Sequence, residues 1–177
     1  MGIVKTGNGG RFLILSLLVV MLDQYTKHLV MEHIPQDTAG INVLPFFNLV
    51  YVRNEGAAFS FLAGMGGWQR WMFAAIAIVI AIALMALLFR TPLKRRWTCM
   101  GLALVIGGAI GNLIDRLVFG SVVDFLCFYI STDSFFWAYP SFNVADIAVC
   151  CGAALLIGIG LFSKPSDKNK KKEEKSK

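Results

Sequence analysis

Four long apolar runs decide the architecture of this chain. Residues 12–31, 71–89, 97–118 and 142–163 are each close to the roughly 20 residues that a helix needs to cross about 30 Å of hydrocarbon, and they carry few charges: Asp23, Lys27, Asp115, Arg116 and Asp146. They take up nearly half of the 177 residues, so no stretch is left for a separate soluble domain. With 56% hydrophobic and 16% charged residues, and a mean hydropathy of +0.64, the composition is that of a membrane protein. The expected fold is mainly α, with four transmembrane helices in a single domain spanning 1–163. A net charge of +6 therefore does not indicate an extended nucleic-acid interface.

The distribution of that charge sets a topology. Of 17 Lys and Arg, two precede the first run, four lie in 90–96 and seven in the tail from Lys164. The positive-inside rule puts both termini and the middle connection in the cytoplasm. Lys27, Arg53, Arg70 and Arg116 are left in or beside the outer segments. The lysine-rich tail 164–177 reads as disordered and close to anionic lipid. Residues 12–22 after a basic start could suggest a secretory signal, but Asp23-Gln24-Tyr25 offers no small-residue cleavage site, so a retained helix is expected. Cys99, Cys127, Cys150 and Cys151 lack metal-type spacing and read as small membrane-core side chains.

The non-helical sequence lies on the outer side. In the β-rich segment 41–62, residues 45–53 are aromatic and β-branched, Asn54-Glu55-Gly56 supplies turn chemistry, and 57–61 reads as a returning strand. Residues 119–142 hold nine aromatics, which suits an interfacial segment over 119–141.

Acids inside or beside membrane helices cost several kcal/mol or more, so each needs a reason to persist. Asp23, Asp115, Asp124 and Asp146 all fall in the outer half or at the outer face. Asp146 lies about four residues into the fourth run, roughly 6 Å along the axis, and Asp124 shortly follows the third. The two can meet just below the outer surface. Close carboxylates share a proton, so the pair holds a base and an acid together. One could activate water while the other protonates a peptide carbonyl. The alternative is that one acid neutralises Arg116 and the other caps the fourth helix near Asn143. Asn112, Asp115 and Arg116 share one helical face, as do Asn143 and Asp146; the two asparagines are interhelical glue or hold the acids. Gly107, Gly108 and Gly111, with Gly152, Ala153 and Ala154, leave room for neighbouring helices. Asp23 and Lys27 have the spacing of an intrahelical pair.

The stretches Asp23-Gln24-Tyr25-Thr26-Lys27, Asn54-Glu55-Gly56-Ala57-Ala58-Phe59, Gly108-Ala109-Ile110-Gly111-Asn112-Leu113-Ile114-Asp115-Arg116, Val123-Asp124-Phe125 and Phe142-Asn143-Val144-Ala145-Asp146 resemble, in order and topology, the motifs of bacterial lipoprotein signal peptidase (signal peptidase II). The resemblance runs from about Phe12 to Ser163. It implies an aspartic endopeptidase of the bacterial inner membrane, with its active site facing outward. Such an enzyme removes signal peptides from diacylglyceryl-modified prolipoproteins just before the lipidated cysteine. By that similarity Asp124 and Asp146 are catalytic, Asn112 and Asn143 hold the carboxylates, and Arg116 and Asn54 meet the substrate backbone. Asp23, Lys27 and Asp115 would be a supporting shell, with Gly56 beside them, and 41–62 a small β-cradle. No metal or cofactor is implied. Prolipoproteins and membrane lipid are the partners, globomycin-type cyclic peptides the inhibitors, and the protein is expected to be a monomer. The connection from Asp124 to Asp146 is a few residues longer than the family pattern, which bears on the shape of 125–139.

Two other classes keep intramembrane acids. A proton-coupled carrier would mark a path across the membrane with them, whereas here they crowd one face. A non-catalytic assembly factor would tolerate Asp124→Asn. His28 and His33 are five apart and off one helical face, with no zinc motif.

Overall fold

The computed structural model describes residues 8–56 and 67–162. After a 3-10 turn at Gly9–Phe12 come α1 (Leu13–His33), β1 (Ile41–Leu44), β2 (Phe47–Asn54), α2 (Trp68–Arg90), α3 (Arg96–Val118), β3 (Val122–Thr132), β4 (Phe135–Ala138) and α4 (Val144–Phe162). All four helices are long and apolar enough to cross a membrane. Their outward faces carry large exposed hydrophobics such as Leu17, Val79, Ile82 and Leu161. That arrangement suits lipid, since a helix satisfies its own backbone there. The tail 164–177 and the expected returning strand 57–61 lie outside the described residues.

The central helix is α3, which packs on α1, α2 and α4. Small residues bring it close: a Cβ on Gly108 would run into the Ala145 carbonyl of α4, and one on Gly111 would stand 2.7 Å from Asp23 Oδ2 of α1. Gly152 also faces α3, while Ala154 points outward. At the end away from the sheet, Gly9 N donates to Thr91 O (2.8 Å), joining the start of α1 to the α2–α3 connection. Leu88, Cys99, Leu102 and Ile106 pack there as one core cluster. Of the cysteines only Cys99 is a buried core side chain. Cys127 is half-buried, and Cys150 and Cys151 are exposed on α4, because a membrane helix can turn small apolar thiols toward lipid as cheaply as toward protein.

At the opposite end sits a four-stranded antiparallel sheet in the order β1-β2-β3-β4. Pro45 lies in the β1–β2 turn and β2 starts at Phe47, two residues later than expected, since proline cannot donate to the ladder. The aromatic segment 119–141 is largely strand. β3 pairs with β2 from Phe47↔Phe128 to Asn54↔Val122, and the β3–β4 hairpin turns at residues 133–134. Local composition could not reveal this pairing, because its partner lies some 70 residues away. Val30 and Ile34 at the end of α1 pack with Tyr51, Val123 and Phe125. That seat fixes the sheet over the ends of α1, α3 and α4.

Candidate active site

Asn143 stands at the N-cap of α4 and Asp146 three residues on. Asn143 Oδ1 accepts from Asp146 N (2.9 Å), while Asp146 Oδ2 accepts from Asn143 N (3.2 Å). This is the reciprocal arrangement of a capping box, with aspartate in the usual glutamate position. Asp146 is therefore the third residue of α4, in its first turn, rather than about four residues inside. The helix begins at Val144 because the Asn143 side chain takes up a first-turn N–H. The helix terminus also favours negative charge there.

Asp124 reaches the same place from β3. It is 3% exposed, opposite Val52 in the sheet register. Its Oδ1 accepts from Asn143 Nδ2 (2.8 Å) and its Oδ2 from Asn54 Nδ2 (3.0 Å). Asp146 Oδ1 accepts from Asn112 Nδ2 (2.8 Å). Each of the four carboxylate oxygens thus has one neutral donor and keeps lone-pair capacity for a proton or water. Among the described residues no cation lies within ion-pair distance of either acid; the two ion pairs there both belong to Lys27.

Both acids line a cavity of about 570 Å³ together with Asn54, Gly56, Asn112 and Arg116. The rest of its lining is mostly apolar and includes Pro140, Phe142, Ile147 and Val149. Burial pushes the Asp124 carboxyl up to about 7. The Asp146 charge adds to the rise, while the Asn54 and Asn143 hydrogen bonds and Lys27 oppose it. An acid that changes state near neutrality, beside a second acid, can hold the single shared proton that acid–base hydrolysis needs.

Arg116 lies over the Phe73 ring (5.4 Å to its centroid). It donates to Asn112 O (3.3 Å) and Gly56 O (3.4 Å). It makes no direct ion pair with either acid, although the charges of Asp146 and Asp124 both act on it. The capping half of the alternative reading is realised by Asp146, and capping leaves that carboxylate on the cavity wall. The Asn54 amide nitrogen is committed to Asp124, and its Oδ1 accepts from Gly56 N (3.0 Å).

Behind the acids is a buried charged cluster. Lys27 Nζ lies 2.8 Å from both Asp23 Oδ2 and Asp115 Oδ2, so the expected intrahelical pair is half of a bridge between α1 and α3. Asp23 Oδ1 accepts from Ala145 N (2.9 Å), capping α4 from a different helix. Asp115 Oδ2 accepts from Val123 N (3.0 Å), next to Asp124. Gln24, quoted in a motif but given no role, donates to Asp115 Oδ1 (2.8 Å), Asp23 Oδ2 (3.2 Å) and Gly111 O (3.2 Å). Its position next to Asp23 gave no sign of this, because Asp115 and Gly111 come from α3. Arg53 stacks over Phe119 and binds the Tyr51 hydroxyl, and Arg70 donates to Leu117 O at the end of α3. Among the described residues no group of side chains is arranged to hold a metal ion.

The family model described as signal peptidase (SPase) II matches residues 15–162. The chain belongs to the signal peptidase II family. Proteins named lipoprotein signal peptidase from Yersinia pestis (strain Pestoides F) and Yersinia pseudotuberculosis serotype O:3 (strain YPIII) are each 51% identical to it over 161 residues. That alignment covers 91% of this chain and 92% of each relative. Two solved structures, both described as bacterial membrane enzymes crystallised in meso, superpose with TM-scores of 0.73 and 0.72 at 29% and 30% identity. They cover 89% and 93% of this chain, and 94% and 100% of theirs. A signal peptidase II scaffold is thus a multi-pass membrane peptidase, and neither the carrier nor the assembly-factor reading gains support.

Proposed function

We propose that this signal peptidase II family member is an aspartic endopeptidase that cuts the signal peptide from diacylglyceryl-modified prolipoproteins, just before the lipidated cysteine. Asp124 and Asp146 form the dyad. The observation that carries this reading is the pair of acids on one cavity wall, each held only by neutral donors. In a productive complex the ionised acid takes a proton from water as the water attacks the scissile carbonyl, while the protonated acid gives its proton to the carbonyl oxygen. Collapse of the tetrahedral intermediate then returns a proton to the leaving amine. Asn112, Asn143 and Asn54 keep the carboxylates in place. Arg116 presents its remaining N–H groups to the substrate backbone.

On this reading the enzyme works as a monomer in the bacterial inner membrane, with its dyad at the outer side. Positive charge concentrated in 90–96 and the tail supports that orientation. The diacyl anchor confines the peptide to the interface and brings the scissile bond to the depth of the first turn of α4. The aromatic β3–β4 hairpin, with Phe136 69% exposed, rests in the same interface. Globomycin-type cyclic peptides would occupy the cavity in place of substrate. Incubating the purified protein with a diacylglyceryl-modified precursor and its unlipidated twin tests the proposal. The lipidated form should be cut and its twin should not; equal cleavage of both at equal concentration would overturn the lipid requirement.

A further inference from the structure

Lys27 is 1% exposed, and its ammonium has three donors and three partners. Two are the carboxylates of Asp23 and Asp115, and the third is Asn112 Oδ1 at 3.0 Å. The third contact reaches the dyad. An asparagine amide can turn by half a rotation and exchange its oxygen for its NH2 at little steric cost, so whatever holds its oxygen fixes what its nitrogen faces. Ammonium groups only donate, so the atom of Asn112 beside Lys27 must be the oxygen. That oxygen also accepts from Asn143 Nδ2 (3.1 Å). Nδ2 is left facing Asp146 Oδ1 at 2.8 Å. In this orientation Asn112 offers Asp146 a donor, which suits a carboxylate. Turned over, it would offer an oxygen that only a protonated Asp146 could meet.

We propose that Lys27 is a positioning residue for the dyad: by gripping Asn112 Oδ1 it locks the amide so that Asp146 is held as a proton acceptor. The inference rests on the reading of Asp146 as a member of the dyad. Lys27 is faced by Asp23 and the neutral Gln24 from α1 and by Asp115 and Asn112 from α3. Asp146 shares its cavity with Arg53 of β2, Arg116 of α3, Asp124 of β3, Tyr139 and, on α4 itself, Cys150 and Cys151.

Removing Lys27 alone would strand two buried carboxylates. The test therefore uses Lys27→Met combined with Asp23→Asn, which leaves the formal charge of the cluster unchanged and keeps an acceptor for Ala145 N. Cleavage of the diacylglyceryl-modified precursor is measured across pH for the parent, this variant, Asn112→Ala and their combination. Rates are expressed per folded protein. We expect kcat to fall by about tenfold or more with KM nearly unchanged, and the acid limb of the profile to move up by about one unit. Adding Asn112→Ala should cost little more, because the lysine acts through that amide. Lys27→Arg, which keeps charge and donors, should hold the limb where the parent has it. An unchanged profile, losses that multiply with Asn112→Ala, or a limb moved as far by Lys27→Arg would overturn the proposal. A parent that leaves the lipidated precursor uncut would instead sink the functional reading beneath it.

Discussion

Two carboxylates in one cavity are useful only if they differ. Asp124, buried on β3 with the Asp146 charge nearby, rises to about 7, so near neutrality it passes between proton donor and bare anion. If the pair works with one proton, as proposed, the proteolytic rate should peak and fall on both sides. The alkaline limb should lie at an apparent pKa of about 7, a value belonging to the pair in a kinetic experiment. The sign for stability follows from the same shift. The folded state keeps a proton that the unfolded state releases near 4, so this group's contribution is full below that pH and is lost as pH rises through about 7. Asp124→Asn should flatten that decline in detergent unfolding curves. Each of Asp124→Asn and Asp146→Asn should abolish cleavage at matched expression, with the double variant scarcely worse than either, since an amide can neither take nor give the proton. Substantial activity in either single variant would rule out the dyad. Arg116 tests a different property. Its planar fork cannot be copied by lysine, so Arg116→Lys should insert normally and turn over well below the parent. Rates within about twofold, under roughly half a kcal/mol, would leave it only a charge-balancing role.

At the scale of elements, the first turn of α4 is the joint on which the site depends. Its N–H groups are taken by Asn143 Oδ1 and by Asp23 Oδ1 from α1, and its depth against α3 is set by Gly108, where a Cβ would strike the Ala145 carbonyl. Gly108→Ala should therefore push the start of α4 away, lower the unfolding temperature and cut activity by an order of magnitude or more, as overpacked contacts cost about 1–3 kcal/mol. Gly160→Ala is the matching control, since a Cβ there meets nothing within 4 Å. It should leave both measurements unchanged. If the two substitutions behaved alike, the close approach of α3 and α4 would not be what places Asp146. On the other side of the cavity, β3 does for Asp124 what α4 does for Asp146. Its first residues are pinned by Asp115 through Val123 N and by β2 through the sheet register.

Across the whole molecule, the ends of α1 and α3 and the starts of α2 and α4 gather with the sheet on one side, and Thr91 meets Gly9 on the other. Arg90, Lys94, Arg95 and Arg96 lie on the second side, which the positive-inside rule assigns to the cytoplasm, so a reporter active only outside the cytoplasm and fused after Lys177 should stay silent; a strong signal would reverse the topology. The helices and their order were legible in the sequence, and four acids stood out in it, because each rests on local evidence. A run of about 20 apolar residues has few fates in lipid, and an acid beside it is costly enough to stand out. The spacing of Asn143 and Asp146 foretold that they would meet, which they do as a cap and a first-turn residue rather than on one helical face. What the sequence left open was most of the partners reached across the fold. Residues 119–141 showed no strand until β2 supplied the partner with which 122–128 pair. Asp23 and Lys27 read as a local pair until α3 brought in Asp115 and Asn112, and Gln24 had no assignable role. The physical reason is range: hydrophobicity and helical periodicity act within one segment, whereas sheet register, amide orientation and the sharing of one ammonium by two helices exist only after packing has brought distant segments together.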